Sequence, residues 1–122
     1  MNTLGPVAAL TAFLSIWFGH VAVRKIESIS PTVWLPTVMF AASGIIMEYI
    51  ALMVRSRELE AICGILGITL IFDAYEFTRQ QRRVRKGHAP ANPGNPRHSR
   101  FLAEPNSRAT TVDLLKREPR DS

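Results

Sequence analysis

Apolar positions in this chain fall into three long runs separated by short polar breaks. The first covers about 4–23, with no ionised side chain and a single His20. The second covers about 31–54 and is interrupted only by Glu48. The third covers about 59–78, with Glu60 at its mouth and Asp73 and Glu76 inside. Each is close to the roughly 20 residues a helix needs to cross a hydrocarbon core about 30 Å thick. Lipid offers an open backbone no hydrogen bonds, so each run must be helical. The pattern therefore predicts an all-α integral membrane protein, with three transmembrane helices packed as a small antiparallel bundle. Residues 24–30 and 55–58 are the connections, and the third helix is expected to continue to about 86 until Gly87 stops it. The first run lacks a basic leading region and a small-x-small cleavage pattern, so it reads as a retained span, not a signal peptide. Pro31 is placed where the second helix should begin, after Ser28 and Ser30 as N-cap candidates. Pro36, one turn further in, is a candidate kink.

The helix faces carry a second pattern. Small residues line one ridge of each span: Thr11, Ser15 and Gly19; Thr37, Ala41 and Gly44, leading to Glu48; Ala61, Gly64 and Gly67. Such ridges permit close helix approach in membranes. They predict either three helices packing on one another or one ridge facing another protein. The third span also carries a polar stripe. Thr69, Asp73, Glu76, Gln80 and Arg83 recur at helical spacing and share one face. That face should meet the other helices, a partner subunit or water.

Charge sharpens the picture by its distribution. Of 122 residues, the first 78 carry a formal charge of −2 and the rest +7. Five of the eight residues from Arg79 to Lys86 are basic: Arg79, Arg82, Arg83, Arg85 and Lys86. This cluster is expected to stay cytoplasmic. The N-terminus then lies outside, the 24–30 loop inside and the 55–58 loop outside, in a cytoplasmic (inner) membrane. The five cations are candidates for binding anionic lipid headgroups or an acidic partner. Nucleic acid is not expected, because no aromatic residues interleave with the cluster to stack bases.

The candidate chemistry lies inside the spans, where ionisable groups are functional candidates by default. Asp73 and Glu76 are one turn apart in the cytoplasmic half, and the topology brings His20 to a similar depth, with Arg24 and Arg79 just below. Such a trio is either a proton or cation site or a structural network neutralised by arginine. As a metal motif it is weak, since it offers three ligands from two helices without a repeated His or Cys spacing. Glu48 lies about 9 Å from the outer end of its span by helical rise. It is expected to meet Arg55 through water, to be protonated or to pair with another chain. Cys63 is the one cysteine, so no intrachain disulfide framework exists. There is no Gly-rich phosphate loop and no Ser-His-Asp arrangement, so no enzyme and no cofactor is expected.

After Gly87 the chain is rich in Pro, Gly, Asn and Ser, which predicts a basic, largely disordered tail over 88–122, with His88 and His98 solvated. Residues 111–117 are a short amphipathic helix candidate, too short to be stable alone.

These residues resemble a family of small bacterial membrane proteins, domain of unknown function 4491. The resemblance rests on Phe18-Gly19-His20 followed by Lys25 and Glu27, on Trp34 with Pro36, and mostly on Glu76 followed by Gln80-Gln81, Arg83-Val84, Lys86-Gly87 and Asn92-Pro93. It covers roughly residues 5–97. The chain departs from the family's pattern at His88 and Ala89, where the family has an aromatic pair, and in the tail that follows. The resemblance implies three spans and a bacterial origin, and it implies no activity. The chemistry and topology together lead to the expectation of a non-catalytic accessory, assembly or interaction subunit with a protein partner or as a homo-oligomer. The alternative is a proton or cation pathway through the intramembrane carboxylates and His20.

Overall fold

The computed structural model describes residues 1–113. Among the described residues four helices follow in order: α1 Leu4–Ile29, α2 Trp34–Met53, α3 Arg57–Arg85 and α4 Pro96–Ala103. The first three are long and apolar enough to cross a membrane, and no strand occurs among the described residues. By helical rise the 20 residues of α2 span about 30 Å. α1 and α3, with 26 and 29 residues, outrun a hydrocarbon core of about 30 Å. Their surplus turns carry the charged residues at the end where both helices terminate.

Local chemistry sets the helix ends. Ser56 caps α3, its hydroxyl accepting from the Leu59 N–H at 3.3 Å, and Glu58 and Glu60 stand in the first turn, where the helix dipole favours anions. Gly87 ends α3 with φ +82°. The His88 N–H donates to the Arg83 carbonyl at 2.8 Å and the Gly87 N–H to that of Val84 at 3.1 Å, the paired bonds of a Schellman stop. The second helix begins at Trp34, not at Pro31. Ser28 lies within α1 and Ser30 is its C-cap, so neither serves as an N-cap for α2. Pro36 then falls in the first turn of α2, where its missing N–H has no intrahelical partner to lose. The expected kink has no cause there.

α3 is the centre of the bundle. Its packing partners are α2, which runs antiparallel to it, and α1, which runs parallel to it. The small-residue ridges explain the closeness. A Cβ built on Gly44 would lie 2.6 Å from the Gly67 carbonyl oxygen, so the α2 and α3 backbones nearly touch. A Cβ on Gly19 would collide with the Asp73 carboxylate, so α1 meets α3 through that side chain. Phe40 of α2 packs edge-on against the fully buried Phe77 of α3, ring centroids 4.9 Å apart. The ridge hydroxyls return to their own helices: Thr11 donates to Val7 O, Ser15 to Ala12 O and Thr37 to Val33 O. α1 buries only Gly19, Val23 and Glu27, and leaves Phe13, Ile16 and Trp17 outward, as a lipid-facing helix should.

The segment after Gly87 differs from its expectation. Residues 88–113 fold back against the ends of α1 and α3 as a small headpiece containing α4. Its core is Val84 of α3 with Ala89, Ala91 and Phe101, flanked by Leu102 and Ala109. The Ala91 N–H donates to Thr110 O at 2.8 Å, and the Arg108 N–H to Arg85 O at 3.1 Å. Composition read as disorder because Pro, Gly and Asn dominate. Here those residues serve as turns and caps around an apolar core. Most of the 111–117 helix candidate lies outside the described residues.

Candidate functional site

The best-buried polar constellation sits where α1 ends. The last carbonyls of a helix have no partner in the helix itself, and its C-terminus is the negative end of the dipole. In this chain the headpiece supplies the donors. Asn95 Nδ2 reaches Ser28 O and Ser30 O, each at 2.9 Å, and Asn92 Nδ2 reaches Ser28 O at 2.9 Å. Arg97 donates to Glu27 O at 2.6 Å and to Ser30 O at 3.2 Å. Asn95 in turn caps α4, its side-chain oxygen accepting from the Arg97 N–H, with Pro96 at the first helical position.

Glu27 lies at the middle of this clasp and is fully buried. Its carboxylate takes an ion pair from Arg97 and a hydrogen bond from His98 Nε2 at 2.9 Å. Arg97 also donates to Gln81 Oε1 of α3 at 2.7 Å. His98 Nδ1 accepts from the Asn92 N–H at 2.9 Å, which leaves the ring hydrogen on Nε2, pointing at Glu27. One clasp thus ties α1, α3 and the headpiece together. His98, expected to be solvated, is fully buried and stacks on Phe101. Among the described residues Arg97 Nε is buried without a hydrogen-bond partner.

The predicted intramembrane trio is only partly assembled. His20, Glu76 and Gln80 line one cleft of about 340 Å³ between α1 and α3, with Trp17, Val23, Arg24 and Arg83. Asp73 is buried against Gly19, within electrostatic reach of His20 and Glu76. Glu76 is held by Arg79 one turn later at 2.9 Å. Gln80 is buried and accepts from Arg83 at 2.9 Å. Thr69 donates to Leu66 O within α3. Among the described residues no group of three or more His, Cys, Asp or Glu side chains is placed to hold a metal ion.

Glu48 lies over Gly67 and lines a cleft of about 610 Å³ at the other end of the bundle, with Leu4, Leu52, Arg57, Glu60 and Gly64. Arg57, not Arg55, is the cation that shares this cleft. Among the described residues Glu48 makes no hydrogen bond and no ion pair.

The basic cluster divides by function. Arg79 is used by Glu76, and Arg85 pairs with Glu104 at 3.0 Å while lying over the Phe101 ring. Arg82, Arg83 and Lys86 are exposed, and Arg83 also lines the cleft beside His20. Sequence reasoning did not select Glu27, Asn92, Asn95 or Arg97 as site residues. A signal was present: Asn95-Pro96 is an N-cap followed by an N1 proline, with His98 and Phe101 three apart on one face of the helix it starts.

No curated protein and no solved structure matches this chain. Residues 2–95 match the model of the family described as "Domain of unknown function (DUF4491)", a match that takes in all three long helices together with Glu27, Asn92 and Asn95, and the chain belongs to that family.

Proposed function

We propose that this chain is a non-catalytic interaction or assembly subunit of a bacterial inner membrane, with its N-terminus outside and its C-terminus cytoplasmic. One observation carries the reading. Glu48 is an intramembrane carboxylate in an open cleft, and no group among the described residues hydrogen-bonds or pairs with it. An ionisable group in a spanning helix is costly unless something pairs with it. A second chain that inserts a donor against Glu48 meets that need. The exposed apolar faces of α1 and α2 leave room for such a neighbour. The orientation is supported by the excess of Lys and Arg from residue 79 onward.

Crosslinking in native membranes, followed by gentle-detergent purification, tests this. The expected product is a defined homo-oligomer or heteromer that Glu48→Ala disperses. A monomer indifferent to Glu48→Ala overturns the reading.

A second reading, a proton or cation pathway, is favoured by the cleft that His20 and Glu76 share and by the nearness of Asp73. The ion pair of Glu76 with Arg79 weighs against it. Flux through reconstituted protein should vanish in Asp73→Asn or Glu76→Gln, and flux that is unchanged in both variants removes the pathway.

A further inference from the structure

We infer that the cleft between α1 and α3 is a binding site for the phosphate headgroup of one anionic phospholipid, which Arg24 and Arg83 line and Arg82 and Lys86 do not. Two adjoining hollows make the site. One, of about 340 Å³, is lined by Trp17, His20, Arg24, Glu76, Gln80 and Arg83. The other, of about 510 Å³, shares Arg24, Gln80 and Arg83 and adds Lys25 and His88. Arg24 and Arg83 therefore face one continuous groove from opposite helices.

Both guanidiniums are already positioned. Arg24 Nε donates to His20 O at 3.3 Å, one turn back on α1. Arg83 donates through one terminal nitrogen to Gln80, whose side chain is buried and so held in place. A guanidinium has five N–H donors in a planar fork, so each keeps most of its donors for an anion. Among the described residues neither arginine has a carboxylate partner.

The carboxylates lining the groove leave this cationic character in place. Glu27 is engaged by Arg97 and His98, and Glu76 by Arg79. Asp113 also lines the second hollow. Arg24, Lys25 and Arg83 give the groove its cationic lining.

Depth selects a lipid over a soluble anion. Trp17 walls the groove on its apolar side two helical turns before Arg24, the place where an indole meets the glycerol level and the cations meet the phosphate. Val21 lines the lower hollow, so an acyl chain leaving the phosphate runs along the outward face of α1. A lone inorganic phosphate uses none of this apolar wall. The site does not depend on Glu48 or on any partner chain.

Native mass spectrometry of the full chain, purified in detergent and offered phosphatidylglycerol or phosphatidylcholine, tests the proposal. Phosphatidylglycerol should be retained as a single bound copy and phosphatidylcholine should not. The double variant Arg24→Gln/Arg83→Gln should lose retention by about tenfold or more, because two charge-assisted contacts disappear. Arg82→Gln/Lys86→Gln, which removes the same charge outside the groove, should retain the lipid. Arg24→Gln alone, at an exposed position, should give a partial loss in a chain whose helicity is unchanged. Equal loss in the two double variants, or full retention in Arg24→Gln/Arg83→Gln, overturns the site. Inorganic phosphate that binds with the same variant dependence, with no lipid retained, overturns the lipid as its occupant.

Discussion

Glu27 and His98 meet in the interior although 71 positions separate them, with His98 Nε2 2.9 Å from Glu27 Oε2 and both side chains fully buried. This contact joins the end of the first spanning helix to the headpiece. It also explains why a charged residue so close to the bilayer can be buried at all. Its charge is met by Arg97, and its remaining lone pairs are met by His98. Removing one member of such a set leaves the others buried and unmatched, which costs more than the set itself contributes.

Glu27→Gln is therefore expected to destabilise the docked headpiece by about 3–5 kcal/mol, because Arg97 becomes a buried cation without a counter-charge. The measurement is hydrogen exchange across residues 88–113 in detergent. Protection should fall there while the middle of α3 keeps its own. Uniform protection in the variant would show that the ion pair is dispensable.

His98 separates two contributions that Glu27 combines. His98→Ala removes the bond to Glu27, the acceptor for the Asn92 N–H and the stack on Phe101. His98→Gln can keep a donor near Glu27 but not the acceptor for Asn92. The alanine variant should cost about 2–4 kcal/mol and the glutamine variant about half of that. Proteolytic susceptibility of residues 88–95 reports the order. Equal susceptibility of the two variants would place the whole effect on the Asn92 acceptor and the Phe101 stack, and none on the Glu27 bond.

The spans were legible because a membrane core imposes a length on an apolar run, and a run of that length has few alternatives. The ends of the helices were less so. Hydropathy detects where α1 leaves the hydrocarbon, near Val23, but its backbone continues to Ile29 through Arg24, Lys25 and Glu27. The headpiece was hidden for a different reason. Pro, Gly and Asn lower the mean hydropathy of 88–113 whether they solvate a loose tail or cap a fold. The deciding contacts, Asn92, Asn95 and Arg97 on the carbonyls of α1, are long-range and leave no periodicity. In the trio, topology alone suggests a shared depth for His20 and Glu76, and the two side chains line one cleft between α1 and α3. The ion pair between Glu76 and Arg79 was one of two open alternatives, because spacing on one helix does not say which rotamer wins.

Gly87 is the hinge of the headpiece. Its φ of +82° disfavours any side chain, and a Cβ there would lie 2.5 Å from the Arg108 carbonyl oxygen. Gly87→Ala should cost about 1–3 kcal/mol, through backbone strain together with this clash. The expected readout is lost protection of the 108–110 amides with α3 still helical to Val84. Unchanged protection would mean that the segment around Arg108 yields without cost.

Gly44 and Gly67 face each other, yet they should respond unequally to alanine. At Gly44 the new methyl would meet the Gly67 carbonyl at 2.6 Å and the Ile71 N at 3.0 Å, which are backbone atoms that cannot move alone. At Gly67 it would meet the end of the Glu48 side chain at 2.5 Å, which can swing into the adjoining cleft. Gly44→Ala should thus cost about 1–3 kcal/mol by forcing α2 away from α3, and Gly67→Ala clearly less. Unfolding in mixed detergent, followed by circular dichroism, gives both values. The reverse order would mean that Glu48 is locked in place, and a partner chain holding its carboxylate would do that.

Asp73 fills the space that Gly19 leaves, so the two positions should be coupled. Gly19→Ala pushes a methyl into the Asp73 carboxylate and should destabilise the α1–α3 contact by about 1–3 kcal/mol. Asp73→Ala removes the obstacle, and Gly19→Ala in that background should be close to neutral. A double-mutant cycle then returns an interaction energy of about 1–3 kcal/mol, within the range for residues in contact. The same unfolding measurement supplies all four corners of the cycle. Strict additivity would show that α1 shifts on α3 without regard to Asp73, and the carboxylate would then have no part in seating the first helix.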